Sequence, residues 1–175
     1  MTWLLIGAVG LLAVVLVPFA VGLALPYGEV VTRVVRLSTS PEDVRAILVD
    51  HSSEAEWRSD VARIELLPDR DGRACWREVD SGGHSTDYEA ARVGTSRRLV
   101  RRVVRSDRPI GGSWMIWIEP SDAGAIITIT RKLEIHNPWL RLSRGLVGDR
   151  GAEVSRFLAD LGRRLGQEAE VREAG

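Results

Sequence analysis

The chain has 175 residues, with 24 basic and 24 acidic side chains, three histidines and one cysteine. A formal net charge of zero argues against a general nucleic-acid binder, and a lone cysteine excludes an intramolecular disulfide and a cysteine-based structural zinc site. The charge is unevenly placed: Met1 to Gly28 carries none, and all 48 charged side chains fall in the other 147 residues, enough for one domain with a real core.

The first element is Trp3 to Leu25, WLLIGAVGLLAVVLVPFAVGLAL, 23 residues without a charge. As a helix it is about 34 Å long, against a hydrocarbon core of about 30 Å. Backbone groups in lipid must pair internally, so the run is read as a transmembrane helix over 1–28, with Pro18 as a tolerated kink. Trp3 and Tyr27 bracket it where an interfacial aromatic belt would lie. A cleaved signal peptide fits less well, because no Lys or Arg precedes the run and no small-x-small site ends it. Arg33 and Arg36 follow the span, so the positive-inside rule predicts a single-pass cell-membrane protein with its C-terminal domain in the cytoplasm.

Glu29–Ser38 is rich in β-branched residues and reads as a strand. Ser40-Pro41-Glu42-Asp43 is a helix start, and Val44, Ile47 and Leu48 give that helix one apolar side. His51–Asp60 is a second short helical stretch holding Trp57. Strands follow at Val61–Leu67, Arg73–Val79, Thr86–Val93, Arg97–Arg105, Ser113–Glu119 and Ala125–Ile135, separated by Gly- and Asp-rich turns that imply an antiparallel meander. His136-Asn137-Pro138 stops the last strand. From there Trp139, Leu142, Leu146, Val154, Phe157, Leu158, Leu161 and Leu165 fall near one stripe of one long helix. The residues from Gln167 form a polar tail expected to fray.

Three stretches resemble one superfamily. SPEDVRAILVDHSSEAEW (Ser40–Trp57) looks like its Pro-x-x-Val helix followed by an aromatic-bearing second helix. GGSWMIWIEPSDAGAIITIT (Gly111–Thr130) looks like its late hairpin, and His136–Leu165 like its Asn-Pro entry and closing helix. With the order of elements, the chain over 29–167 resembles the START-like, or SRPBCC, superfamily, in its polyketide cyclase/dehydrase and lipid transport branch. The resemblance implies an α+β helix-grip fold, a curved antiparallel sheet wrapped around a long C-terminal helix with an apolar cavity between them. It specifies fold better than function, because this fold hosts ligand carriers, enzymes and co-chaperones.

Strand alternation proposes what lines such a cavity. Ile127 and Ile129 share a face of the last strand, with Leu133 and Arg131; Trp114, Ile116 and Ile118 share a face of the strand before it. Val35 and Leu37, Ile64 and Leu66, and Trp76 and Tyr88 are further inward candidates. The resemblance puts Trp57 beside the cavity mouth, and Phe157 faces the sheet from the helix. The pocket set is Trp57, Trp76, Tyr88, Trp114, Ile116, Ile127, Ile129, Arg131 and Phe157. Any one of them also serves as ordinary core.

Catalytic and metal constellations are absent from the pattern. His51, His84 and His136 are far apart and read as surface residues, and Cys75 has no sequence-linked base. Asp50, Asp87 and Glu89 are acids that nothing in the sequence pairs. No catalytic residue, metal or cofactor is therefore expected. Arg97, Arg98, Arg101, Arg102 and Arg105 read either as a solvated, edge-protecting strand or as a contact with anionic lipid headgroups. Arg33 and Arg131 fall on inward faces, where acids, a ligand's anionic group or an escape to water must satisfy them. The resulting expectation is a membrane-anchored START-like module that binds an apolar small molecule or lipid. A polyketide cyclase/dehydrase-type enzyme and a ligand-free, co-chaperone-like interaction module are the alternatives.

Overall fold

The computed structural model describes residues 2–91, 97–146 and 150–174, without the side chains of 2, 4–9, 11 and 144–146. Helix α1 spans Thr2–Ala24 and contains Pro18. Among the residues described with their side chains, which in α1 are Trp3, Gly10 and Leu12 onward, no helix is long and apolar enough to cross a membrane.

Strand β1 (Gly28–Leu37) follows, then α2 (Pro41–Val49). Ser40 caps α2 by accepting from the Asp43 amide, with Glu42 and Asp43 in the first turn against the positive helix end. A 3₁₀ turn at His51–Ser53 leads into the short α3 (Glu54–Trp57). Six strands succeed one another: β2 (Val61–Arg70), β3 (Arg73–Asp80), β4 (Ser85–Ala90), β5 (Arg98–Ser106), β6 (Ile110–Ser121) and β7 (Gly124–Ile135). Helices α4 (Pro138–Leu146) and α5 (Ala152–Arg164) and a two-residue strand β8 (Arg172–Glu173) complete the chain.

The strands form one antiparallel sheet in the order β2-β3-β4-β5-β6-β7-β1-β8. Its longest ladder joins β6 to β7, from Ile110↔Ile135 to Ser121↔Gly124. Gly112 makes that approach possible. Its φ is +122°, and a Cβ there would collide with the Lys132 carbonyl. The apolar face of α5, with Val154, Phe157, Leu158 and Leu161 buried, packs on the inward faces of β1, β6 and β7. Strand alternation held well in this region: Ile127, Ile129 and Leu133 are buried, as are Trp114, Ile116 and Ile118.

Four expectations need correction. The single long closing helix is two helices. Gly145, Gly148 and Gly151 weaken helix propensity through the junction, and the two pieces have different partners, α1 for α4 and the sheet for α5. Leu142 is half-buried there, and the expected stripe position Leu146 lies among the side chains not described. Leu66 is 66 % exposed, because β2 is the outer edge of the sheet. The tail does not simply fray: Gln167 bonds the Ser38 amide (2.7 Å) and the Thr39 hydroxyl (2.6 Å), and β8 pairs with β1 at Arg33↔Glu173. The strand read as Thr86–Val93 runs from Ser85 to Ala90, and Val93 lies outside the described residues.

The joint between α1 and the sheet domain is short and well held. Three residues, Leu25 to Tyr27, separate α1 from β1. Phe19 lies 6.0 Å, ring to ring, from Trp139 of α4. A Cβ on Gly22 would collide with the Pro138 carbonyl, so only glycine admits this approach of α4 to α1. The Tyr27 hydroxyl sits 2.7 Å from His136 Nδ1, its carbonyl accepts from the Ile135 amide (2.9 Å), and the Arg141 guanidinium lies over its ring.

Candidate functional site

At the centre of the domain, under α3, lies a cluster of charged side chains withdrawn from water. Glu54, the first residue of α3, is fully buried. It accepts from Arg101 through both oxygens (3.0 Å each), from Arg58 Nη1 (2.7 Å), and from His51 Nδ1 (2.8 Å). Glu78 of β3 accepts from the same Arg58 nitrogen (2.9 Å) and from the Trp76 indole (3.0 Å). Asp60 takes the other side of Arg58 in a bidentate pair at 3.2 and 2.9 Å. Burial alone would raise the Glu54 pKa. Attraction to Arg101, the His51 hydrogen bond and attraction to Arg58 more than reverse it, so the carboxylate stays ionised well below its usual range. Burial likewise works against charge on Arg58, and Glu78, Glu54 and Asp60 override it. Desolvating this many charges costs several kcal/mol per ion, roughly what their mutual attraction returns, so packing efficiency alone does not account for the cluster.

An aromatic stack stands beside these charges. The His51 ring lies 3.6 Å from that of Trp76 at 13°, and Trp76 faces Tyr88 at 5.7 Å and 17°. The Arg101 guanidinium lies 5.4 Å from the Trp76 ring. Burial first, and then the carboxylates of Glu78 and Glu153, raise the Tyr88 phenol far above its ordinary value.

On one side of Tyr88 the sheet and the start of α5 leave a cleft of about 520 Å³. Its apolar lining is Val61, Tyr88, Ile110 and Leu133 from the sheet, Leu140 from α4 and Ala152 from α5. Arg58 and Glu78 reach it from the buried cluster. Arg131, only 8 % exposed, pairs with Glu153 at 2.7 Å and lies over the Trp114 ring. Arg108, held by Asp80 at 2.7 Å, Arg150 and the exposed Arg156 add positive charge to the lining.

The residues expected to line a cavity divide in three. Tyr88 and Arg131 line this cleft. Trp76 lines a smaller cavity on the other side of the aromatic stack. Trp57, Trp114, Ile116, Ile127, Ile129 and Phe157 are buried in the hydrophobic core, where Phe157 meets Trp57 edge-on at 5.4 Å and Trp114 at 5.7 Å. The Trp57 indole N–H is buried there with no hydrogen-bond partner among the described residues.

His51 is not a surface residue; its side chain is 14 % exposed and bonded to Glu54. Arg101 is not part of an outward arginine surface either. It is 5 % exposed, and with Leu99 and Val103 it faces inward, while a register shift at Asp87/Tyr88 carries Arg105 outward. Arg33 meets Glu173 at 2.7 Å.

Glu54, Arg58, Glu78 and Arg101 were missed as a set, although two signals were present. Glu78 shares its strand face with Trp76, two residues away, and Glu54 stands four residues before Arg58 on helical spacing. The acids weighed from sequence lie elsewhere, Asp87 on Arg77 (2.6 Å) and Glu89 on Arg73 (2.8 Å).

No family profile and no curated protein sequence matches this chain. Solved structures do share its fold. The Zhui aromatase/cyclase from Streptomyces sp. R1128 aligns with a TM-score of 0.63 at 15% identity, over 79% of this chain and 92% of its own. A START superfamily protein from Mycobacterium smegmatis aligns at 0.56 and 15% identity, over 79% and 95%. Norcoclaurine synthase from Thalictrum flavum aligns at 0.61 and 9% identity, over 79% and 94%. The neighbours are START/SRPBCC-type proteins, and the curved eight-stranded sheet with its helices is the helix-grip architecture they share. At these identities the likeness is one of fold.

Proposed function

We propose that the domain is a ligand-binding module whose cleft takes a small molecule with an apolar body and an acidic or strongly polar end. The observation that carries this reading is the cleft itself. Between the sheet and the start of α5 about 520 Å³ remains open, within the usual range for small-molecule sites. Tyr88, Ile110 and Leu133 suit an apolar body, and Arg150 and Arg156 suit an anionic end. The START-type and aromatase/cyclase neighbours support a module of this general kind. A cyclase-type enzyme is the second reading; it rests on the activity of those neighbours, and turnover of a bound polyketide-like compound would favour it.

We further propose that α1 anchors the module in a membrane, with the domain on the cytoplasmic side. The charge-free run from Trp3 to Leu25 and the arginines that follow it support that reading. An anchored module would meet a lipid or quinone-like ligand where such molecules concentrate.

The test is mass spectrometry of molecules extracted from the full-length chain purified from its own membranes, followed by rebinding. An amphiphile at near one-to-one ratio, with affinity reduced by Arg156→Ala and abolished by the cleft-filling Ile110→Trp, is the expected result. Undiminished binding to Ile110→Trp would remove the cleft as the site. Release of the chain from membranes by alkaline carbonate would remove the anchor and leave the cleft reading standing.

A further inference from the structure

Four buried residues with polar side-chain atoms line the cleft: Arg58, Glu78, Tyr88 and Arg131. Three of them are committed to protein partners. The nitrogens of Arg58 end on the carboxylates of Glu54, Glu78 and Asp60. Glu78 accepts from Arg58, Arg101 and the Trp76 indole, and Arg131 is paired with Glu153. The Tyr88 hydroxyl has no hydrogen-bond partner among the described residues, although Tyr88 is only 8 % exposed. Its oxygen is not enclosed by protein as the Trp57 nitrogen is, so it opens onto the cleft. Stacking on Trp76 fixes the ring, and with it the place of the hydroxyl.

The chemistry of this donor narrows what it can meet. Burial, Glu78 and Glu153 hold the phenol protonated, so it offers one O–H and no charge. Those two carboxylates bear on it more strongly than Arg58 and Arg131 do, which disfavours a ligand anion at this point. An anionic end instead has the exposed Arg156. A purely hydrocarbon body would displace water from the hydroxyl and leave a buried donor unpaired. A neutral acceptor set in an apolar body avoids both penalties. A carbonyl oxygen is such an acceptor, and it adds no donor that needs a partner of its own.

We infer that Tyr88 sets the specificity of the cleft, its hydroxyl donating to a neutral carbonyl, of ketone or quinone type, within the apolar body of the ligand. The assignment rests on the cleft being the ligand site and is independent of what α1 does.

The experiment compares two probes, 4-benzoylbenzoate, with a carbonyl between its rings, and 4-benzylbenzoate, with a methylene there. Each is titrated calorimetrically into the full-length chain in lipid nanodiscs, with empty nanodiscs subtracted. Wild type should bind the ketone at least about fivefold more tightly. Tyr88→Phe should weaken the ketone by about that factor and leave the methylene compound within about twofold. In wild type the infrared carbonyl stretch of the bound ketone should lie below its value in hydrocarbon solvent, and Tyr88→Phe should return it. An unshifted stretch overturns the assignment, even should Tyr88→Phe not fold. Equal affinity for the two probes, or a preference that survives Tyr88→Phe, overturns it while the cleft stands as the site, provided that Ile110→Trp abolishes binding of both. Binding undiminished by Ile110→Trp overturns the cleft reading itself. Absence of saturable heat from either probe in wild type overturns the assignment as well.

Discussion

Replacing Glu54 by Gln removes one negative charge from the centre of the buried cluster and leaves its shape nearly intact. Four hydrogen bonds end on this carboxylate, three from guanidinium nitrogens and one from His51. The amide offers one acceptor oxygen in place of two, and its N–H₂ group points donors at donors. Arg101 then keeps only the longer contact to Glu78 (3.4 Å) among its carboxylate bonds. Breaking a buried pair from one side costs about 3–5 kcal/mol. At about 2–4 °C per kcal/mol for a domain of this size, the melting temperature should fall by roughly 10–15 °C.

The pH dependence carries a sign. The Glu54 pKa is lower in the folded protein than its ordinary 4.5, so its contribution is fully present above that pH and is lost as the pH falls toward the folded value. The gap between wild type and Glu54→Gln should stay constant from neutrality to about pH 5 and shrink below about 4.5. Thermal melts followed by circular dichroism measure it, and a double-mutant cycle with Arg101→Gln isolates the pair, with a coupling above about 1 kcal/mol expected. A drop of less than about 3 °C at neutral pH, or a gap that ignores acid, would refute the reasoning.

Three other outcomes follow from the same geometry. Phe157→Ala opens a hole between Trp57 and Trp114 and should cost about 3–5 kcal/mol in urea unfolding. Gly112→Ala forces a Cβ onto the Lys132 carbonyl at a φ of +122°, so the β6–β7 ladder should lose amide-exchange protection on both sides of residue 112. The raised Tyr88 pKa means its contribution is present below the ordinary 10.0 and is lost as the pH rises above it. Wild type should therefore lose stability relative to Tyr88→Phe above about pH 10, and a constant difference between urea midpoints at about pH 8 and 11 would contradict this.

The order of elements was legible because each carries a local signature: the Ser40-Pro41 helix start, the alternation along β6 and β7, and the 3.6-residue stripe that buries Phe157 and Leu161. The division into α4 and α5 was not legible, because Trp139 and Leu142 continue the period of the stripe although they serve a different partner. Aromatic residues were readable as inward but not as core or cavity wall. Alternation fixes the face of Trp114 and Tyr88 alike, and only the three-dimensional packing separates one, filled by Phe157, from the other, which borders open space. The ion cluster was hidden for a related reason. Its members come from α3, β3 and β5, and charge on its own predicts exposure.

The three-residue joint after α1 has a mechanical consequence. Leu25 to Tyr27 extends about 10 Å at full stretch, and the contacts of Gly22 with Pro138 and of Tyr27 with His136 use up the slack. The domain is thus mounted like a bracket, not hung on a leash. It has almost no reach, so the sheet domain cannot swing far from α1. Any molecule that enters the cleft must come to within a domain's width of α1. Lengthening the joint with a flexible insert would widen that radius without touching a single residue of the cleft.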